Sequence, residues 1–147
     1  MQVALNQARQ CLRQPPLAMD VPVGAVCVRE NSLIGVASNL RELRRDPSAH
    51  AEILALQQAA RARGRWQLQD VTLYVTLEPC CMCAGAIWQA RIARVVFGTW
   101  DEKAGACGSL YDVPRDPRLN HQTQLRGGVM EEECKALLQE FFQARRS

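Results

Sequence analysis

The most regular stretch of this sequence is residues 71–77, VTLYVTL, whose β-branched, aromatic and aliphatic side chains predict a buried β-strand. Pro79 follows two residues later, in a position that suits the first turn of a helix, and residues 80–91 continue with a helical pattern. Residues 94–97 then return to a strand pattern. A chain in which strands alternate with helices in this way predicts a layered α/β fold, with helices on the faces of a sheet.

The segments on both sides extend the same pattern. The predicted helices are residues 4–12, 130–146 and a segment from Ser48, as its cap, to Arg63; the predicted strands are a hairpin at 21–28 and 33–38 and an edge strand at 121–126. The last helix is predicted to turn Cys134, Leu137, Leu138, Phe141 and Phe142 inward. Between these elements, residues 99–120 form a loop long enough to suggest a function. With 147 residues and no linker or repeat, the chain is predicted to form one domain, residues 1–147.

Composition and charge exclude several classes of protein. A chain that is 48% hydrophobic and 22% charged is neither disordered nor a coiled coil, and no stretch approaches the roughly 20 apolar residues of a membrane span. The net charge of +3 does not by itself imply a polyanionic partner. Seven cysteines, an odd number, behind an N-terminus without a signal-peptide pattern argue against a disulfide framework. We therefore expect a cytoplasmic protein that has no membrane partner.

Two short motifs carry the chemistry: His50-Ala-Glu52 and Pro79-Cys80-Cys-Met-Cys83. Cys80 and Cys83 are three residues apart, so one helical face presents both sulfurs to a single ion. With His50 they make three ligands and leave a fourth position open, which is the pattern of a catalytic zinc site rather than a closed structural one. Thiolates and imidazole favour zinc over magnesium or calcium. Glu52 lies close enough to move a proton between an activated water and a substrate nitrogen.

Three other interpretations of these motifs stay open. A Cys-x-x-Cys pair also occurs in redox proteins, although a redox dithiol would need neither His50 nor Glu52. A closed structural site would need Cys81 as its fourth ligand, which is awkward beside Cys80. A non-catalytic, zinc-stabilised RNA-binding module would have no use for a carboxylate at the metal, so Glu52 is the residue that discriminates.

The chain resembles the bacterial tRNA-specific adenosine deaminases, within the cytidine deaminase-like superfamily of zinc deaminases, along nearly its whole length. The spacing H-x-E…P-C-x-x-C is the signature of zinc nucleobase deaminases. The wider resemblance rests on residues 21–26 (VPVGAV), 46–53 (DPSAHAEI), 73–80 (LYVTLEPC), 83–86 (CAGA), 94–98 (RVVFG) and 108–110 (GSL). These stretches are far more specific together than the metal motif alone.

What this resemblance implies is a three-layer α/β/α sandwich around a five-stranded mixed sheet, a homodimer, and one zinc ion per chain held by His50, Cys80 and Cys83. The implied activity is that of a hydrolase in tRNA processing, which converts adenosine to inosine at the wobble position of an anticodon stem-loop. Glu52 would be the catalytic proton shuttle, and Asn39 and the backbone of Ala51 would bind the purine. An alternative with the same zinc core is a deaminase of a free base or nucleoside, such as guanine or cytosine.

Several residues outside the motifs are candidates for RNA binding. All basic residues except Lys103 and Lys135 are arginines, which can stack on bases and pair with phosphates. The resemblance places the end of the last helix near bound RNA, so it implies contacts from Phe142, Arg145 and Arg146. The substrate-binding candidates in the long loop are Asp101 and Asn120, with Lys103 and His121 beside them in sequence.

Overall fold

Five strands form one mixed sheet in the computed structural model, which describes residues 1–146. The strands are β1 (Gly24–Arg29), β2 (Ser32–Ser38), β3 (Thr72–Leu77), β4 (Arg94–Thr99) and β5 (Gln124–Arg126). Their order in the sheet is β2-β1-β3-β4-β5. β1 is antiparallel to β2 and β3, whereas β3, β4 and β5 run parallel. The predicted hairpin and edge strand are confirmed, with a hairpin turn at Glu30 and Asn31 that has positive φ at both residues.

Helices cover both faces of this sheet. They are α1 (Gln2–Gln10), α2 (Arg41–Arg44), α3 (Ala51–Arg63), α4 (Cys81–Gln89) and α5 (Glu131–Arg146), and two 3-10 turns, Cys11–Arg13 and Pro16–Ala18, follow α1. The larger core lies between the sheet and α3 and α4, and a smaller core joins α1 to α5 on the opposite face. This arrangement confirms the predicted three-layer sandwich around a five-stranded mixed sheet. No helix within residues 1–146 is both long enough and apolar enough to cross a bilayer.

Two glycines let helices approach the sheet closely, one on each face. A Cβ atom at Gly24 would overlap the carbonyl oxygen of Ala4 in α1, and one at Gly35 would overlap the carbonyl oxygen of Ala55 in α3. Both helices therefore rest directly on strand backbone at these points. The second contact matters for function, because it fixes α3, whose first turn carries the His-x-Glu motif.

The structure corrects the predicted start of α3. The sequence predicts Ser48 as the cap of this helix, but the N-cap position is held by His50, whose backbone is extended, and Ala51 is the first helical residue. Ser48 instead donates its hydroxyl to the carboxylate of Asp46, so it closes the preceding turn. The predicted end of the helix is confirmed, since Gly64 is its C-cap with φ +68°.

The structure also corrects the inner face predicted for α5. Cys134, Leu137 and Phe141 are buried, as expected, but Leu138 is only partly buried and Phe142 is 45% exposed. The first three lie on one stripe of the helix at spacings of three and four residues. Leu138 and Phe142 each follow a member of that stripe by one position, so they form a neighbouring stripe that borders the cavity described below.

Candidate active site

Two helices begin at the same edge of the sheet, and their first residues converge. His50 is the N-cap of α3, and Cys80 is the N-cap of α4, directly beyond the end of β3. The Nδ1 atom of His50 lies 3.7 Å from Sγ of Cys80 and 3.5 Å from Sγ of Cys83. The ligand atoms of these three side chains all lie within 4.8 Å of one another. Among the His, Cys, Asp and Glu residues of the described chain, 1–146, they form the group that could hold a metal ion.

The spacing of these donor atoms fits a tetrahedral zinc ion. Zn–S bonds of about 2.3 Å and Zn–N bonds of about 2.0–2.1 Å, at a tetrahedral angle, hold sulfur and nitrogen about 3.6 Å apart. The two observed S···N distances lie on either side of that value. Cys81, the candidate fourth ligand of a closed site, is exposed and lies outside the group. The donors therefore suit an ion with three protein ligands and one open position.

The charges at this cluster already favour thiolate. A hydrogen bond with Cys83 lowers the pKa of the Cys80 thiol to about 3, and the same bond raises the pKa of Cys83. The hydrogen bond with Cys80 also raises the pKa of His50. The start of α4 adds the positive end of its helix dipole, which stabilises negative charge on sulfur. A cation bound here would therefore contact a Cys80 sulfur that is already a thiolate in the folded protein.

Glu52 lies in the first turn of α3, beside this cluster. It is buried, with 4% of the residue exposed, and burial raises the pKa of its carboxyl group. It also lines the same cavity as His50 and Cys80. A carboxyl group with a raised pKa, beside the candidate metal ligands and facing a cavity, is suited to accept a proton and return it.

A cavity of about 810 Å³ opens above these residues, which is large enough for a nucleoside. Val21, Val23 and Leu77 supply apolar surface, and residues 99–104 form a continuous part of the cavity wall. From α5, the cavity is lined by Leu138, Gln139 and Phe142. Its basic lining residues are Arg41, Lys103 and Lys135. Basic and acidic side chains therefore both line the cavity, and the acidic ones are Glu52, Glu78, Asp101, Glu102 and Glu131.

The structure brings some of the predicted substrate-binding residues to this cavity and leaves others outside it. Asn39, Ala51, Asp101 and Phe142 line it. The side chain of Asn39 donates to the carbonyl of Val21 and accepts from the amide of Arg41, which leaves one N–H and one lone pair for a ligand. The side-chain amide of Asn39 is therefore held in a fixed orientation and still has hydrogen-bonding capacity for a ligand.

Asn120, Arg145 and Arg146 do not line the cavity. Asn120 belongs to the loop before β5, where the ring of neighbouring His121 bonds the carbonyl of Ile92. Arg145 and Arg146 are exposed on the last turn of α5, and the guanidinium of Arg145 lies 5.2 Å from the centre of the Phe141 ring. Any contact they make with a substrate must involve a part of it that extends beyond the cavity.

Three residues near the site are not singled out by the sequence. Lys135 shares the stripe of α5 that carries Leu138 and Phe142, and that spacing is the signal that could have found it. Asp20 is fully buried and accepts the amides of Glu42 and Leu43, which fixes the helical turn that presents Arg41. Glu78 is also buried, and its carboxylate accepts a hydrogen bond from the amide of Cys107, in the loop that continues from the cavity wall at residues 99–104. Glu78 lies in the stretch 73–80 that carries the resemblance, but neither carboxylate belongs to the His-x-Glu or Pro-Cys-x-x-Cys motif, so the sequence assigns no role to either.

A layered α/β fold with a histidine and two cysteines at paired helix starts, and a buried glutamate facing a nucleoside-sized cavity, defines the class of metal-dependent nucleobase deaminases. A family model described as MafB19-like deaminase matches residues 2–146. The tRNA-specific adenosine deaminase of Bacillus subtilis (strain 168) is 48% identical over 123 residues, which are 84% of this chain and 76% of that protein. The chain belongs to the MafB19-like deaminase family and is a member of the tRNA-specific adenosine deaminases.

Solved structures agree with this assignment. One, from a study of A-to-I editing by tRNA:A34 deaminases at the wobble position of transfer RNA, matches with a TM-score of 0.86 and 37% identity over 93% of this chain and 96% of that one. Another, of a protein in complex with 2,6-diaminopurine, matches with a TM-score of 0.73 and 25% identity over 94% and 77%. The chain is thus more similar to the tRNA deaminase than to the purine-binding protein.

Proposed function

We propose that this protein is a hydrolase that deaminates adenosine to inosine at the wobble position of a tRNA anticodon, as one deaminase domain spanning residues 1–147. The observation that carries the proposal is the group formed by His50, Cys80 and Cys83, together with Glu52, which lines the same cavity as His50 and Cys80. Membership in the tRNA-specific adenosine deaminases supplies the substrate class. An unpaired anticodon base costs little to place in a cavity, compared with a base held in a duplex.

Zinc, one ion per chain, is the cofactor that the donor set supports, with His50, Cys80 and Cys83 as ligands. When bound in such a site, zinc lowers the pKa of water to about 7 and so supplies a nucleophile at neutral pH. The protein contributes two pre-arranged sulfur donors and an imidazole held at the start of α3. These residues would hold the ion beside the cavity that His50 and Cys80 line.

Glu52 is the proposed proton shuttle. Its carboxylate accepts one proton as the oxygen of water attacks C6 of the adenine ring and passes it to the ring nitrogen. It then accepts the second proton from that oxygen and passes it to the departing amino nitrogen. The C6–N6 bond breaks, C6 keeps the oxygen, and ammonia leaves, so adenosine and water give inosine and ammonia. Burial raises the pKa of Glu52 and thereby makes the carboxyl a better proton acceptor.

Binding of the base is assigned to residues that already line the cavity. The free N–H and lone pair of Asn39 suit the edge of a purine ring, and the backbone of Ala51 lines the same cavity. Asp101 and Phe142 would contact the flipped nucleotide and its neighbours. More distant parts of the anticodon stem-loop are proposed to bind Arg145, Arg146 and Asn120.

A homodimer and a cytoplasmic location complete the proposal. The homodimer rests on the family resemblance, and the location rests on the tRNA substrate. Neither bears on the chemistry at His50, Cys80 and Cys83, which lie together within one chain.

A deaminase of a free nucleobase or nucleoside is the less favoured candidate. The tRNA substrate is favoured by the 48% identity to a tRNA-specific adenosine deaminase and by the higher TM-score of the match to a tRNA:A34 deaminase. Arg41, Lys103 and Lys135 in the cavity lining are groups that can pair with phosphates beside the base. A non-catalytic zinc-stabilised RNA-binding module is also less favoured, because a buried carboxylate beside the metal ligands serves no purpose in a scaffold.

The test is to incubate the zinc-loaded protein with an anticodon stem-loop that carries adenosine at the wobble position, and with free adenine, guanine and cytosine. We expect a mass gain of about one dalton in the stem-loop, from amine replaced by oxygen, and no turnover of the free bases. Turnover of a free base without reaction of the stem-loop would select the alternative. A stem-loop with guanosine at the same position is the matched control and should not react.

A further inference from the structure

The cavity wall at residues 101–104 belongs to a loop that contacts one buried carboxylate, and this carboxylate takes no part in the proposed chemistry. Glu78 is the last residue before Pro79 and Cys80, and only 1% of it is exposed. Residues 101–109, of which 101–104 line the cavity, form what we call the wall segment. This segment wraps around the Glu78 side chain.

The wall segment meets Glu78 with three backbone amides and a hydroxyl. Asp101 N–H donates to Oε1 at 3.0 Å, and the N–H groups of Cys107 and Ser109 each donate to Oε2 at 3.0 Å. The Oγ of Ser109 donates to Oε1 as well. Within residues 1–146 no lysine or arginine pairs with Glu78, so these bonds alone compensate the burial of its charge.

Neighbouring backbone contacts tie the same segment to the metal ligand. Ala106 N–H donates to the carbonyl of Pro79 at 2.8 Å, and Gly105 pairs with Cys80 in an isolated β-bridge. A Cβ atom at Gly105 would overlap the Glu78 carboxyl group, so the segment lies as close to that group as a backbone can. The wall of the cavity and one metal ligand therefore share a single anchor.

From this geometry we infer that Glu78 is a positioning residue, which holds the wall segment in its substrate-receptive form before RNA arrives. The bonds are made by residues at both ends of the segment, and every donor and acceptor belongs to this chain. The inference deepens the proposed function, on which it rests: the base would enter a preformed wall instead of ordering a loop. A protein whose receptive state is only partly populated binds more weakly in proportion to that population.

The decisive variant is Glu78→Gln, which keeps the shape but replaces one acceptor oxygen with an NH₂ group that must face N–H donors. We expect KM for the stem-loop to rise about tenfold, because the receptive wall is less populated, while kcat changes by less than about threefold. Zinc content should stay equal to that of the unmodified protein. A purely structural role would reduce the amount of folded protein without moving KM of the molecules that remain active.

Hydrogen exchange gives a readout that does not need activity. In the free protein we expect the amides of Asp101, Cys107 and Ser109 to exchange slowly, and in Glu78→Gln to exchange much faster, with the amides of β3 and α4 unchanged. If the stem-loop is never deaminated but these amides respond, the proposed function has failed and the anchoring holds. If the stem-loop reacts normally and the amides do not respond, the anchoring has failed.

Two further variants keep the inference falsifiable. Ser109→Ala removes one hydroxyl donor and should shift KM and exchange in the same direction by less, about twofold. It decides the matter if Glu78→Gln does not fold, and unchanged KM and exchange in Ser109→Ala would then overturn the inference. Glu30→Gln, an exposed residue of the hairpin turn, is the matched control and should change neither quantity. Loss of zinc and of kcat in Glu78→Gln, with KM unmoved, would also overturn it, because Glu78 would then act through Cys80.

Discussion

The floor of the cavity and its α5 side are built in opposite ways. The floor takes His50, Glu52, Cys80 and Cys83 from the starts of two helices about thirty residues apart, and holds them partly or fully buried against the sheet. The α5 side comes from one helix, and the last turn of that helix, with the exposed Arg145 and Arg146, lies beyond the residues that line the cavity. We therefore expect that removing one side chain from the buried site abolishes activity, whereas removing one from the exposed helix face lowers RNA affinity only in part.

The largest effect is expected from removing a sulfur at the floor. Cys83→Ser should lower zinc well below one ion per chain, and turnover should fall to background, because water without the ion keeps its pKa of about 15.7. Metal analysis and a stem-loop assay on the same preparation measure both quantities. Cys81→Ser is a closely matched control, since Cys81 is exposed and lies outside the metal group.

If Cys83→Ser kept one zinc per chain and Cys81→Ser did not, the ligand assignment would be wrong, because Cys81 would be the ligand in place of Cys83. Loss of zinc from both variants would indicate the closed type of site, with four protein ligands. The two serine variants differ by only two positions on the same helix. Any difference between them therefore reports on which thiol faces the metal group.

A second expected effect at the floor separates catalysis from metal binding. Glu52→Gln should retain zinc and fold but lose about 10²–10⁴ in kcat, which is the usual worth of a positioned general acid–base. The amide cannot accept the proton that the buried carboxylate accepts. Single-turnover assays with stem-loop substrate, together with zinc analysis, measure this split, and Glu132→Gln on the exposed face of α5 is the control. Turnover within about tenfold of the unmodified protein would remove Glu52 from the chemistry.

The floor is largely accessible from the sequence, and the walls are not. Cysteine, histidine and glutamate at these spacings have distinctive chemistry, so residue type and spacing predict that His50, Glu52, Cys80 and Cys83 act together, and the structure brings the three candidate ligands within 4.8 Å of one another. The strand and helix patterns around them likewise predict the sandwich. Glu78 escapes prediction because its burial depends on amides 23 to 31 residues further along the chain, which no local pattern can align.

The corrections have the same physical origin. Ser48 is a residue type that favours helix caps, but the hydrogen bond to Asp46 engages it and leaves the N-cap position to His50. Phe142 is a residue type that favours the core, but its stripe of α5 faces the cavity instead of the sheet. In each case a contact overrides the preference of the residue type: a local one for Ser48 and a tertiary one for Phe142.

An effect of intermediate size on substrate binding is expected at Asn39, which lines the cavity but is not a candidate metal ligand. Asn39→Ala should raise KM for the stem-loop about tenfold, with a smaller change in kcat, because a hydrogen bond to the purine is lost along with the bonds to Val21 and Arg41. Loss of those two backbone bonds should also lower the free energy of unfolding, by about 1–3 kcal/mol. Denaturant unfolding measured beside the kinetics separates the two causes. A change in stability with KM unmoved would make Asn39 a structural residue of the floor.

The smallest effect is expected at the end of α5. Replacing Arg145 and Arg146 together by alanine should weaken stem-loop binding severalfold and flatten its salt dependence, with a slope change of about 0.7 for each single-strand phosphate that is no longer neutralised. Catalysis on saturating substrate should be unchanged, because neither residue lines the cavity. The control removes two arginines from the end of α3 and the loop after it, Arg61→Ala with Arg65→Ala, which changes the net charge equally. If both pairs flatten the slope alike, the effect belongs to overall charge, and the α5 side has no special part in holding RNA.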